Sequence, residues 1–282
     1  MSRRPEVKTP EQLRQMRAAG LVAARALQAV SAAVRPGATA AELDALAEQV
    51  IRAEGAVPSF FGVPGGDAPD YAWSTCISVD HQVVHGVPRA STVLRAGSLV
   101  SIDCGAVLAG WHGDAAITVA VGGEAAVAPE LLELSRVTEA ALWAGLAAAR
   151  PGARLDAVGS AVEAAVRPHG FGIVDGYAGH GIGSAMHMAP EVANVGGARG
   201  GRLRLVPGHA LAVEPMLTLG DPQVEELADG WTVATADGSA AAHWEHTVAI
   251  TPSGPWVLTA LDGGRARLGD LVSDEALADA VA

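Results

Sequence analysis

Four carboxylates and two histidines stand where such side chains are costly unless they do chemistry. Asp103 and Asp114 interrupt the apolar runs 98–107 and 111–121, Glu214 closes the run 210–213, and Glu245 lies inside 243–250. The two aspartates occupy the arms of a hairpin whose turn runs through Leu108-Ala109-Gly110. With the turn centred between Leu108 and Ala109, they fall opposite each other, with Cβ atoms roughly 4.5–5.5 Å apart. A slip of one residue would turn one of them to the other face. Two facing carboxylates repel unless one is protonated or a cation lies between them, and a cation is favoured because each would otherwise be a buried, unpaired charge. Glu214 or Glu245 alone could be half of an ion pair. Together with the aspartates they make four acids with only histidines as basic neighbours, which favours metal ions.

The histidines come in Gly179-His180-Gly181-Ile182-Gly183-Ser184-Ala185-Met186-His187. Glycines on alternate positions exclude a helix, so His180 and His187 belong to a loop or strand end where the backbone approaches something closely. His85, in Val83-Val84-His85-Gly86-Val87-Pro88, carries a weaker signal, that of a histidine at a turn.

Helices must hold these strands in place. Thr9-Pro10-Glu11-Gln12 supplies an N-cap, a proline at the first helical position and a glutamine at N3, so a helix starts there. Leu13, Met16, Gly20, Ala23, Leu27, Val30 and Val34 form its stripe of apolar and small residues until Pro36-Gly37 stops it. A second helix follows from Thr39 with Glu42 at N3 and ends near Gly55. Arg150-Pro151-Gly152-Ala153 repeats Arg35-Pro36-Gly37-Ala38 at an offset of 115, and Glu163, Arg167 and Gly170 fall on Glu48, Arg52 and Gly55 at the same offset. Each copy follows a long alanine-rich helix, the later one starting after Pro129. Shared composition favours some such matches, but a duplicated helix pair followed by strands is the better reading and predicts an α+β fold of two related halves. Strands are also expected over 242–250, with hairpins around Asp229-Gly230-Trp231 and Asp237-Gly238; residues 262–282 read as a peripheral helix or an acidic C-terminal tail.

The 282 residues are 50% hydrophobic and 18% charged, which excludes a disordered or fibrous chain. The net charge of −12 has the wrong sign for coating a nucleic acid or an anionic membrane. Residues 1–35 differ: seven basic residues face only Glu6 and Glu11, making either a solvated helix face or a docking arm. Cys76 and Cys104 lie in buried-strand patterns and give no disulfide framework. No apolar run is long enough for a membrane span, and the first residues lack the apolar stretch of a signal peptide, so a cytoplasmic location is expected.

The motifs Val84-His85-Gly86-Val87-Pro88, Ser101-Ile102-Asp103, His112-Gly113-Asp114, Gly179–Gly183 with His187, Glu214-Pro215-Met216 and Trp244-Glu245-His246-Thr247 together resemble the type I methionine aminopeptidases, from about Thr9 to Ala260. The resemblance implies the pita-bread fold, an α+β architecture of two pseudo-symmetric halves with a central antiparallel sheet, outer helices and the metal site between the halves. The halves would be about 9–125 and 126–260 of one catalytic domain, 1–261. It also implies two divalent ions: Asp103 on one, His180 and Glu214 on the other, Asp114 and Glu245 bridging. Oxygen ligands with one imidazole suit Co²⁺, Mn²⁺ or Fe²⁺, and Zn²⁺ is also compatible. Such a pair acidifies water into a nucleophile near neutral pH. On this resemblance Glu214 shuttles the proton, His187 hydrogen-bonds the substrate amide and its tetrahedral intermediate, and His85 contacts the scissile nitrogen or the leaving group. Phe60, Cys76 and Trp231 would line the methionine pocket with His85 and His187.

The chain departs from the family pattern in three places. Residues 62–74 are longer than is usual before the Thr-Cys-Ile-Ser strand, Met186 replaces an aromatic pocket residue, and Met188-Ala189 replaces two glutamates. The implied function is metal-dependent removal of the initiator methionine from nascent polypeptides with a small second residue. The implied enzyme is a monomer without membrane or specific nucleic-acid partners; the positive charge of the first helix, read from the sequence, offers a weak ribosome contact. The alternatives are a divergent aminopeptidase paralogue with other peptide substrates and an inactive peptide- or ribosome-binding module. The complete ligand set argues against the module.

Overall fold

The computed structural model describes residues 4–66, 68–198 and 200–279; Arg3 of the basic segment, Asp67 of the long rim segment and the last three residues of the tail lie outside this range. Helix α1 spans Pro10–Ala33 and α2 spans Ala40–Ala53. Both begin with the expected capping boxes, Thr9 with Gln12 and Thr39 with Glu42. Each box satisfies backbone N–H groups that a helix start leaves without partners. Helices α3, Pro129–Ala148, and α4, Asp156–Val166, form the second pair. Arg154 stands where Thr39 stands in the first copy, and α4 has no side-chain cap.

The duplication extends to the hydrogen bonds. Gly37 N–H donates to Leu94 O and Gly152 N–H to Leu205 O; Leu94 N–H returns to Ala38 O and Leu205 N–H to Ala153 O. Two isolated bridges, Thr39 with Val93 and Arg154 with Arg204, occupy the same place in each half. The strand segments correspond at an offset of 111, which sets Asp103 against Glu214.

Nine strands form one antiparallel sheet: β1 Val57–Pro58, β2 Thr75–Val79, β3 Leu99–Leu108, β4 Trp111–Ala120, β5 Gly179–Gly181, β6 Met188–Val192, β7 Ala210–Val213, β8 Glu245–Ile250 and β9 Pro255–Val257. Their spatial order is β1-β3-β4-β8-β7-β5-β6, with β2 also on β3 and β9 on β8. The halves meet where β4 pairs with β8, Glu245 facing Ala116 and His246 facing Ala115. Two three-stranded sheets flank it, one built from Gly172–Ile173, Met216–Thr218 and Ala241–His243, the other from Gln82–Val84, Val224–Glu226 and Val233–Thr235. Among the described residues no helix is long and apolar enough to cross a membrane.

Helix α1 ties the halves together. Its Leu13 and Met16 join the core of α3, β7 and β8, while Val22, Leu27 and Val30 join that of α2, β2 and β3. At Gly20 it lies so close to the sheet that a Cβ would strike the Leu258 carbonyl, and a Cβ on Gly113 of β4 would reach within 2.5 Å of the Gly20 backbone. Gly20→Ala should therefore overpack this crossing and cost about 1–3 kcal/mol, read as a lower urea midpoint at unchanged m value.

Four expectations need correction. The β3–β4 turn is centred between Ala109 and Gly110, both at positive φ (50° and 81°), so Asp103 pairs with Ala116 and Asp114 with Gly105. The shift is two residues, so both aspartates keep one face as diagonal neighbours. Asp237-Gly238 joins strands of different sheets and makes no hairpin. The stretch 242–250 is broken at Trp244, whose N–H donates to Pro215 O. The tail is neither loose nor peripheral among the described residues: α5 (Arg265–Leu268) and α6 (Asp274–Asp279) bring Leu268, Val272 and Ala276 into the main core.

Candidate metal centre and substrate pocket

Five spatially consecutive strands each deliver one polar side chain to the middle of the sheet: β3 Asp103, β4 Asp114, β8 Glu245, the end of β7 Glu214, and β5 His180. Alternation of side chains across each strand puts one residue per strand on the common face. Gly105, opposite Asp114, leaves the carboxylate its space, since a Cβ there would lie 3.1 Å from Asp114 Oδ1. Thr247 locks Asp114 to β8 by accepting its N–H (3.0 Å) and donating to its carbonyl (2.8 Å).

Ligand-type atoms of Asp114, His180 and Glu245 lie within 4.8 Å of one another, and His180 Nε2 is 3.5 Å from Glu214 Oε1. His180 Nδ1 lies 3.0 Å from its neighbour's carbonyl, Gly181 O. With the proton on Nδ1, that bond leaves Nε2 as a lone pair facing the acids. Burial, then nearby His187, lowers the His180 pKa to about 4, so the ring is neutral at pH 7. Burial, then the charges of Asp114 and Glu214, raises Asp103 well above the carboxylate range; burial, then Asp114, does the same for Glu214. Glu245 is raised by burial and all three other acids, and Asp114 mainly by burial. Asp103 Oδ1, Asp114 Oδ1 and Glu245 Oε1 are buried with no hydrogen-bond partner among the described residues. Buried, mutually repelling carboxylates with orphaned oxygens and one neutral imidazole are the donor set of a divalent-cation site.

One cavity opens on this cluster. It is lined by all eleven residues expected at the site (Phe60, Cys76, His85, Asp103, Asp114, His180, Met186, His187, Glu214, Trp231 and Glu245) and by Val63 and Tyr71. The apolar wall groups buried Phe60, Tyr71, Cys76, Val87 and Met186 with partly buried Val63, Trp73 and Trp231. Burial, then Asp103, holds the Cys76 thiol neutral. His85 sits at φ 58°, a conformation uncommon for a side chain of that size, and burial lowers its pKa to about 4. The His180 and His187 rings meet edge to face at 4.5 Å.

The sequence reading missed Val63 and Tyr71, both in the long rim segment. Tyr71 donates to Thr75 O (2.9 Å) and packs at 4.9 Å against Trp231, whose Nε1–H donates to Pro69 O. An aromatic residue five positions before Cys76 was the available signal. It also missed His243, buried with Nε2 3.9 Å from Glu245 Oε2. On the basic helix, Arg17 is only 4% exposed and donates to the carbonyls of Leu258, Ala260 and Leu261, so it belongs to the fold and not to a solvated face.

The model of metallopeptidase family M24 matches residues 14–252. The chain belongs to that family. Within M24 it is 52% identical over 250 residues to methionine aminopeptidase 1 of Mycobacterium tuberculosis, covering 86% of this chain and 91% of that protein. Methionine aminopeptidase 1 of Bacillus subtilis is 43% identical over 252 residues, with 89% and 98% covered. The crystal structure of methionine aminopeptidase from Thermotoga maritima superposes with a TM-score of 0.85 at 38% identity, covering 91% of this chain and 99% of that one. The pita-bread architecture expected from the sequence is therefore borne out, and the cluster described above is the candidate centre of a metallopeptidase.

Proposed function

We propose that this M24 enzyme is a cytoplasmic methionine aminopeptidase that removes the initiator methionine from polypeptides with a small second residue. The observation that carries the reading is the meeting, in one cavity, of an acidic cluster fit for divalent ions with an apolar wall of Phe60, Cys76, Met186 and Trp231. Relatives 52% and 43% identical that bear this name support it. Asp103, Asp114, His180, Glu214 and Glu245 would together hold the divalent metal, two ions on this reading. The chemistry that divalent metal would supply there is a water acidified to a nucleophile near neutral pH and a polarised scissile carbonyl.

The chain's own residues do the rest. Glu214 takes a proton from the attacking water and delivers it to the leaving amine from its place in the cavity beside the other acids. His187 hydrogen-bonds the substrate amide and its tetrahedral form, and His85, neutral at pH 7, donates to the leaving nitrogen. The acidic centre receives the free α-amine, which confines cleavage to the first residue. Phe60, Cys76, Met186 and Trp231 surround the methionine side chain.

Met186→Phe tests the pocket. Methionine is flexible and repacks around other unbranched chains, whereas a ring is rigid and meets a thioether in a favourable sulfur contact. A hydrophobic pocket separates neighbours by about 1–3 kcal/mol per methylene. The substitution should raise the ratio of methionine to leucine kcat/KM by roughly tenfold without changing metal affinity. An unchanged ratio would remove Met186 from the side-chain pocket.

A ribosome contact through the first helix would use Arg14 and Arg25, which pair with Glu11 and Glu54 at the surface. Reversing both to Glu with Arg17 intact should abolish cosedimentation with ribosomes at low salt; undiminished cosedimentation returns the helix to an ordinary solvated face.

A further inference from the structure

The glycine loop that carries Met186 and His187 is gripped from outside by the segment that precedes α1. Ser184 N–H donates to Glu6 Oε2 (3.2 Å) and Ser184 Oγ donates to Glu6 Oε1 (2.9 Å). The Lys8 ammonium lies 3.5 Å from Glu6 Oε2 and 3.4 Å from Glu6 O, and Lys8 N–H donates to Gly208 O (2.8 Å). The two glycines under this strap are there for clearance. A Cβ on Gly183 would run into Glu6 Oε2 and Lys8 Cε, and one on Gly208 would lie 2.5 Å from Lys8 O. Lys8 is the only lysine of the chain, yet its residue is 5% exposed. A buried ammonium is costly unless paired, and among the described residues both polar contacts of its Nζ are to Glu6. On its inner side the loop is held by His112 N–H donating to Gly183 O (3.0 Å), two residues before Asp114.

We propose that Glu6 and Lys8 are positioning residues that clamp Ser184 and thereby fix His187 and Met186 against the metal centre. The inference rests on the aminopeptidase reading of His187 and extends it to a strap outside the site. Lys8 braces the Glu6 carboxylate, Glu6 fixes Ser184, and Ser184 sets the path of the three residues that end at His187. A displacement of about 1 Å in a catalytic group can cost ~10²-fold in rate.

The test uses Glu6→Ala, Ser184→Ala and the double variant Glu6→Gln/Lys8→Met in the full chain, with two readouts. The first is kcat and KM for Met-Ala-Ser. Glu6→Ala should lower kcat at least ~10-fold with KM changed less than about threefold. The double variant, in which the Gln carbonyl still accepts from Ser184 but the Lys8 brace is gone, should recover part of the kcat lost in Glu6→Ala and stay below wild type; a kcat equal to wild type would remove Lys8 from the clamp. The second readout is acylation of Lys8 by an N-hydroxysuccinimide ester, followed by peptide mass and independent of activity. It should be slow in the wild type and at least ~10-fold faster in Glu6→Ala and Ser184→Ala. Unchanged kcat in both single variants, or Lys8 labelling as fast in the wild type as in the variants, overturns the clamp. Absence of methionine release by the wild type sinks the aminopeptidase reading instead, and the labelling then still decides whether the clamp holds the strap.

Discussion

Asp114→Asn and Glu245→Gln should each reduce methionine release by about 10³-fold or more while the protein still folds. Asp114 on β4 and Glu245 on β8 stand at the seam where the halves join, and each is proposed to hold both ions. An amide of the same shape keeps the packing but loses the charge. In the metal-free protein these carboxylates are buried beside other acids, which raises their pKa values and makes them a liability to the fold. The neutral variants should therefore unfold at the same or a higher urea concentration than metal-free wild type, while their metal content after purification falls with their activity. Loss of activity with a lowered urea midpoint would mean damage to the fold, and full activity in both variants would remove the dinuclear assignment.

The second large effect is a pH-dependent stabilisation by metal. Asp103, Glu214 and Glu245 have folded pKa values well above the unfolded range near 4, and Asp114 is raised to about 7. Such groups hold protons in the folded state that the unfolded chain releases. Their contribution to stability is complete below about pH 4 and is lost as pH rises through the folded values. His85 and His180, lowered to about 4, and His243, lowered to about 3, run the other way: their contribution is present above about 6.5 and lost as pH falls through the folded values. Between pH 7 and 8.5 the histidines are silent and the buried acids weaken the metal-free protein. A divalent ion replaces the missing protons there. The rise in Tm on adding Mn²⁺ should be larger at pH 8 than at pH 6, the stabilisation at pH 8 amounting to roughly 2.7 kcal/mol at a hundredfold excess over Kd. An equal rise at both pH values, or none, would contradict a carboxylate-rich centre.

The helices and the site could be read from the sequence because their signals are local. Thr9 with Gln12 and Thr39 with Glu42 declare their helices within four residues, and an acid inside an apolar strand marks itself. Register and sheet membership depend on the rest of the fold. Ala109 enters a positive-φ turn that alanine does not advertise, which moved the hairpin by two residues yet kept Asp103 and Asp114 on one face. Trp244 sits in an unbroken strand pattern, but its indole donates to Ser135 and its backbone to Pro215, so the chain changes sheets there. The tail reads as acidic by composition, although Leu268, Val272 and Ala276 recur every four residues and are buried. Arg17 reads as surface because it is charged; its guanidinium instead holds the carbonyls of Leu258, Ala260 and Leu261, which lie far away in sequence. Tyr71 was hidden in a segment judged by its length.

On the proposed reading, one metal-loaded cavity cleaves methionine from a free N-terminus. Its most direct test is methionine release from Met-Ala-Ser and from N-acetyl-Met-Ala-Ser by chelator-treated protein, before and after adding Mn²⁺ or Co²⁺. Release is expected only from the free peptide and only with metal present. Metal-independent release, or equal release from the acetylated peptide, would contradict it.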